Sequence, residues 1–261
     1  MFNSKDKNPL KAIFRKNQFS YGCWVTLANP LVPELLSIAG FDWIAIDMEH
    51  SSIDLSDLPG LLISAEANRL VPLVRVGELN PNLIKRIMDA GAYGVIAANV
   101  CTAQDAELVV NSVKYPPVGT RGVGLYRAQH YGNEFSRYVK WANEESVVIV
   151  QIEHKNAVQN IDEIFSIKGV DAYLIGPYDL SASFGKPGVF DSEEMIEAMG
   201  LVLKAAKRHG VVAGFHSVSS DPKLARNRIR EGYRFIGYST DFMFLKDGAM
   251  QGLQVLKKRK K

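Results

Sequence analysis

Cysteine is scarce: Cys23 and Cys101 are the only two in the chain, and their spacing is neither paired nor metal-like. No disulfide scaffold is implied, and a reducing compartment fits. Long apolar runs are missing too. No window reaches membrane-spanning length, and Met1 to Ser20 is polar with scattered lysines, without the apolar core of a signal peptide. The reading is a cytoplasmic protein with no membrane partner. Nor is there an excess of one charge. The net charge is +3, and the closing Lys257-Lys258-Arg259-Lys260-Lys261 more than accounts for it. The nearly neutral body calls for no nucleic-acid partner, and the tail reads as a solvated end. No Gly-x-Gly-x-x-Gly turn follows the first strand, so a dinucleotide-binding open sheet is disfavoured. Neither Gly214-Phe215-His216-Ser217 nor Gly237-Tyr238-Ser239-Thr240 makes a Gly-rich phosphate cradle.

What the chain does have is a sustained strand–helix rhythm. Strands are predicted at Tyr21 to Leu27, Phe41 to Asp47, Val71 to Val76, Gly94 to Ala97, Val147 to Val150, Ala172 to Ile175, Val211 to Gly214 and Phe235 to Ser239. The β-branched run Val147 to Val150 does not alternate with polar residues, as expected of a strand buried on both faces. Between the strands lie helical patterns such as Asn156 to Phe165, with apolar residues at Ala157, Ile161, Ile164 and Phe165. Others cover Pro30 to Ile38, Ser56 to Asn68, Pro81 to Ala90, Thr102 to Val113, Glu193 to His209 and Pro222 to Glu231, with a last helix to about Lys257. Such alternation, with no linker or composition shift, is the pattern of a single (β/α)8 (TIM) barrel domain over residues 1–261, with a polar amino-terminal segment and a basic tail. The rhythm pauses once, at Tyr115-Pro116-Pro117 and the Gly-rich Gly119 to Gly124. That excursion reaches about Glu145 and reads as a functional loop.

In a barrel the carboxyl ends of the strands converge. They carry Asp47, Glu49 and His50 from the second strand, Arg75 from the third, Gln151 and Glu153 from the fifth, and Asp179 beyond the sixth. Glu153 and Asp179 offer hard oxygen ligands suited to Mg²⁺ or Mn²⁺. Asp47 is near enough to His50 to orient its imidazole as a general base. Arg75, inside an apolar strand, can grip a carboxylate or oxyanion in bidentate fashion. Structural readings stand beside these: carboxylates as helix caps, His50 as an ordinary hydrogen-bonder, and Arg75 ion-paired with Glu49 or Glu78. Arg121 and Arg127, in the Gly-rich excursion, are candidates for contact with a substrate's distal end or for interface or solvent-facing charges.

GFDWIAIDMEH, VPLVRV, DAGAYGVI, YPPVGTRGVG, VQIEHKNAVQNIDEI and GVDAYLIGPYDLSASFG together resemble the HpcH/HpaI aldolase family across most of the chain. The resemblance implies a phosphoenolpyruvate/pyruvate-type (β/α)8 barrel and a class II pyruvate aldolase using Mg²⁺, Mn²⁺ or Co²⁺ held by Glu153 and Asp179. It further implies His50 with Asp47 as the acid/base dyad, Arg75 at the pyruvyl oxygen, Gln151 beside the metal, and the Gly176-Pro177 backbone at the pyruvate carboxylate. Hexamers that exchange their last helix, with sites at subunit interfaces, are implied as well. The chain departs from the commoner pattern at Ala98-Asn99-Val100, at His154 and at His216. These departures bear on substrate choice, and they add His216 to the candidate tail contacts. A Schiff-base aldolase, a CoA-ester lyase of the citrate-lyase type and a non-catalytic binding protein are the rivals. The absence of a strand-borne interior lysine weighs against the first.

Overall fold

The computed structural model describes residues 7–258. Its first half runs α1 (Pro9–Arg15), β1 (Ser20–Val25), α2 (Leu31–Ile38), β2 (Trp43–Asp47), α3 (Leu58–Ala67), β3 (Val71–Val76), α4 (Pro81–Ala90), β4 (Gly94–Ala97) and α5 (Ala103–Val113). There follow α6 (Phe135–Glu145), β5 (Val147–Ile152), α7 (Lys155–Gln159), α8 (Ile161–Ser166), β6 (Ala172–Ile175) and α9 (Pro177–Ser183). The chain closes with α10 (Glu193–His209), β7 (Val212–Ser217), α11 (Lys223–Glu231), β8 (Phe235–Thr240) and α12 (Asp241–Lys257). The eight strands pair in parallel, in sequence order, into a closed barrel. All eight predicted strands are present. The helix predicted over Asn156 to Phe165 is two short ones broken at Asn160, whose side-chain amide donates to the Cys101 carbonyl oxygen.

Strand side chains alternate, so every second residue points into the barrel. Trp24, Trp43, Ala45, Val71, Leu73, Ile96, Val147, Ile149, Ala172, Leu174, Val212 and Phe235 form that interior core, while the other faces pack on the helices as a second, larger core. Two residues further along β2, β3 and β5 the interior turns polar. Asp47 follows Ala45, Arg75 follows Leu73, and Gln151 then Glu153 follow Ile149. The same backbone period that builds the core therefore lifts the polar groups to its carboxyl end.

The amino end is closed by α1. The sequence reads Met1 to Ser20 as a polar segment, and its first six residues lie outside the described ones; within the rest, Leu10 and Phe14 are buried in the interior core, Phe14 edge-on to Phe235 at 5.2 Å. Asn8 caps the helix, accepting from Leu10 N–H, and its amide donates to the carbonyl oxygens of Tyr93 and Glu145. Lys11 pairs with Asp171 at 2.9 Å and Arg15 with Glu145 at 3.0 Å. Leu10, Ile13 and Phe14 stand at helical spacing, and the barrel's amino end supplies the partner that this short helix needs. The last three residues of the basic tail lie outside the described residues. Among the described residues, no helix is long and apolar enough to cross a membrane.

Candidate active site

A cavity of about 330 Å³ opens at the carboxyl ends of the strands. Asp47, His50, Arg75, Gln151, Gly176, Pro177, Asp179 and His216 line it, so the barrel brings eight of the sequence-predicted site residues to one opening. Glu153 lies against that wall: a Cβ on Gly176 would sit 2.7 Å from Glu153 Oε2 and 3.1 Å from Gln151 Nε2. Glycine at 176 keeps the carboxylate's surroundings open.

Arg75 and Asp47 occupy paired positions on β3 and β2. The guanidinium grips the carboxylate with two bonds, Nε to Oδ1 at 2.9 Å and Nη2 to Oδ2 at 2.6 Å, and its Nη1 reaches Glu49 Oε2 at 3.0 Å. Burial pushes the Asp47 carboxyl up, but Arg75 and the backbone N–H groups of Glu49 and His50 prevail and hold it below the usual carboxylate range. The ion pair with Glu49 expected as the structural reading of Arg75 is present, and Asp47 shares it. Asp47 accepts from the His50 backbone rather than from its ring, fixing the loop that carries the exposed imidazole.

Glu153 is 6% exposed, and only neutral donors serve it: the Asn99 N–H at 2.7 Å and the Gln151 amide. Burial, with the charges of Glu49 and Asp179, raises its pKa. Among the described residues no cation pairs with Glu153 or Asp179. An under-compensated pair of carboxylates with hard oxygen donors is a site that a divalent cation fits. No group of three or more His, Cys, Asp or Glu that could hold a metal occurs among the described residues.

Three residues of this site escaped the sequence reading. Trp24 is buried and stacks on His216 at 3.9 Å, with the Arg75 guanidinium carbon 5.8 Å from its ring centre. Its place two positions after Gly22 on an inward face was the available signal. Asn99, read only as a departure from the family, serves Glu153 through its backbone in a left-handed conformation at φ 60°. Asp241 accepts from Thr26 N–H at 2.8 Å and Leu27 N–H at 2.9 Å, pinning the start of α12 over the end of β1.

The substrate-tail role for Arg121 and Arg127 is corrected. Arg121 is buried beside Tyr115 and Tyr138 and pairs with Asp89 at 2.5 Å, while Arg127 binds Glu66 and the Ala90 carbonyl oxygen. Those partners sit where α3 and α4 end, at the amino side of the barrel. The Gly-rich excursion joins α5 to β5, so it returns to the foot of a strand and cannot reach the opposite opening within one chain. Tyr115, Ala128, Tyr138, Trp141 and Ala142 pack it there as a small third core. The same face holds Lys114, a buried lysine whose ammonium donates to the Ala142 and Ser146 carbonyl oxygens. Burial, assisted by Lys11, lowers its pKa to about 7. Lying at the far end from the cavity, it is no Schiff-base lysine, and Lys155 is exposed.

A parallel barrel that sets an imidazole, a guanidinium and two carboxylates around one strand-end cavity has the parts of an enzyme that stabilises an enolate. The family model described as HpcH/HpaI aldolase/citrate lyase matches residues 20–247. The chain belongs to that family and is a carbon–carbon lyase of the aldolase kind. It is 34% identical over 260 residues to the 5-keto-4-deoxy-D-glucarate aldolase of Escherichia coli (strain K12), covering 99% of this chain and 100% of the relative. The corresponding enzyme of Klebsiella pneumoniae is also 34% identical, over 262 residues. Among solved structures, a family member from Burkholderia cenocepacia J2315 superposes with a TM-score of 0.91 at 35% identity, covering 96% of this chain and 100% of that one. The HpcH/HpaI aldolase of Desulfitobacterium hafniense DCB-2 gives 0.88 at 29% identity, covering 96% and 97%. The citrate lyase beta subunit of M. tuberculosis shares the fold more distantly, with a TM-score of 0.59 at 13% identity.

Proposed function

We propose that this aldolase reversibly cleaves a 4-hydroxy-2-oxo acid of the keto-deoxy sugar-acid type to pyruvate and an aldehyde, as the names of its relatives suggest. The observation that carries the reading is Glu153, a buried carboxylate without a protein cation, beside Asp179 and close to the Arg75 cluster. Glu153 and Asp179 would hold Mg²⁺, Mn²⁺ or Co²⁺, which supplies a Lewis acid to the substrate's carboxylate and keto oxygens when bound. His50 takes the proton from the 4-hydroxyl as the C3–C4 bond breaks, the aldehyde leaves, and protonation of the remaining enolate at C3 gives pyruvate. Arg75, held rigid by Asp47 and Glu49, directs its remaining N–H groups at the oxygen where enolate charge collects. Gln151 fixes Glu153, and Gly176 and Pro177 leave room for the pyruvate carboxylate. The free cysteines Cys23 and Cys101 support a cytoplasmic setting.

Pyruvate release from a panel of 4-hydroxy-2-oxo acids, with EDTA and then with Mn²⁺ or Mg²⁺ restored, tests the reading. Metal-restored cleavage is expected. No pyruvate from any compound with metal bound would overturn it in favour of the CoA-ester lyase or non-catalytic reading. His50→Ala should lower turnover by about 10²–10⁴-fold while Mn²⁺ affinity stays within about two-fold. Near-wild-type turnover would remove His50 from the base role.

We also propose a homo-oligomer, a hexamer by family expectation. Of α12 only Asp241 is buried, and Leu245, Met250, Leu253, Val255 and Leu256 are exposed. A helix this apolar along its solvent side needs a second surface, and another copy of this chain is the surface the family offers. Deleting residues 249–261 should reduce the solution mass by light scattering. An unchanged mass would show that the helix does not hold the assembly.

A further inference from the structure

His216 ends the inward face of β7 and shares the cavity with His50, Arg75 and Gln151. Its ring lies nearly parallel to Trp24, at 3.9 Å and 10°. That stack fixes the plane. The ring's position within the plane is fixed by β8: Nε2 lies 3.4 Å from the Ser239 carbonyl oxygen, and a Cβ on Gly237 would sit 3.1 Å from His216 Cδ2. The Cδ2–Nε2 edge therefore faces β8. A carbonyl oxygen can only accept, so Nε2 carries the proton and Nδ1 is left as a bare acceptor. Nδ1 sits on the opposite edge of the ring and has no hydrogen-bond partner among the described residues.

Resting on the aldolase reading above, we propose that His216 is a specificity-determining residue. Its unprotonated Nδ1 accepts a hydrogen bond from a hydroxyl on the carbon next to the reacting aldehyde, selecting 2-hydroxyaldehydes over their deoxy counterparts. Two features favour this assignment. An acceptor with no donor of its own selects a hydroxyl and offers nothing to a methyl or methylene group. And the imidazole stays neutral at working pH, because burial and then the Arg75 charge lower its pKa to about 3.

The test is aldol addition of pyruvate to matched aldehydes, glycolaldehyde against acetaldehyde and lactaldehyde against propionaldehyde, with Mn²⁺ present. His216→Phe keeps an aromatic ring on Trp24 and removes the acceptor; His216→Asn keeps an acceptor near the Nδ1 position. In the Phe variant the kcat/KM preference for the hydroxylated member should fall about ten-fold, and in the Asn variant it should stay within about three-fold of wild type. Equal losses on both members of each pair would overturn the proposal, leaving the stack a purely structural role. Exchange of the pyruvate methyl protons by the wild-type enzyme needs no aldehyde and is read in parallel. Exchange without hydroxyl preference sinks the His216 assignment alone, whereas no exchange with metal bound removes the aldolase reading on which it rests.

Discussion

Glu153→Gln is expected to abolish divalent-cation binding and lower cleavage by at least about 10³-fold, yet to raise the melting temperature of the metal-free protein. The second effect follows from the site's imbalance. The fold buries the Glu153 carboxylate against the charges of Glu49 and Asp179 and gives it only neutral donors, so its pKa is raised. A carboxyl whose folded pKa is raised penalises the native state once pH climbs through that value and costs nothing below its ordinary value, near 4.5. Glutamine removes the charge. The gain should be about 2–4 °C at pH 7, the equivalent of about 1 kcal/mol in a chain of this size, and it should vanish near pH 4. Calorimetry at the two pH values, with Mn²⁺ titration alongside, reads both halves. Unaltered Mn²⁺ affinity, or a lower melting temperature at pH 7, would contradict the carboxylate-pair site.

Arg75→Ala should show the opposite balance, losing activity and stability together. It leaves the buried Asp47 and the half-buried Glu49 without the cation that holds both. Removing one partner of a buried ion pair costs about 3–5 kcal/mol, on the order of 10 °C here. Losing an oxyanion donor should lower kcat by about 10²–10³-fold. Adding Asp47→Asn should recover part of the melting temperature and none of the activity, because it relieves the orphaned charge without restoring the donor. Arg75→Lys is no conservative change, since a single ammonium cannot span three carboxylate oxygens in a planar fork. A melting temperature within about 2 °C of wild type for Arg75→Ala would show the cluster to be solvated rather than buried.

The sequence made the barrel legible because each strand announces itself by its apolar content, and several announce themselves again by the polar residue that ends them. Trp43-x-Ala45-x-Asp47 and Val71-x-Leu73-x-Arg75 carry the inward face and its terminal functional group in one period. Glu153 continues the inward period of β5, whereas Asp179 lies in α9, just beyond the end of β6. Two arrangements rest on geometry that composition does not encode. Asp47 and His50 are too close along the chain for the carboxylate to look past the backbone N–H groups lying between it and the imidazole. Arg121 and Arg127 were judged by the glycines around them, when the decisive fact was that their loop follows a helix. Leu10, Ile13 and Phe14 already stand at helical spacing in α1; what the sequence does not show is that the amino end of the barrel receives Leu10 and Phe14.

That closure has a kinetic corollary. With Leu10 and Phe14 sealing one end of the barrel and a packed core beneath the polar layer, both products share a single exit. Arg75 and Gln151 belong to the strands' inner layer, whereas His50 stands exposed at the rim. On the proposed reaction, the fragment held by the inner residues is expected to depart second, aldehyde first and pyruvate last.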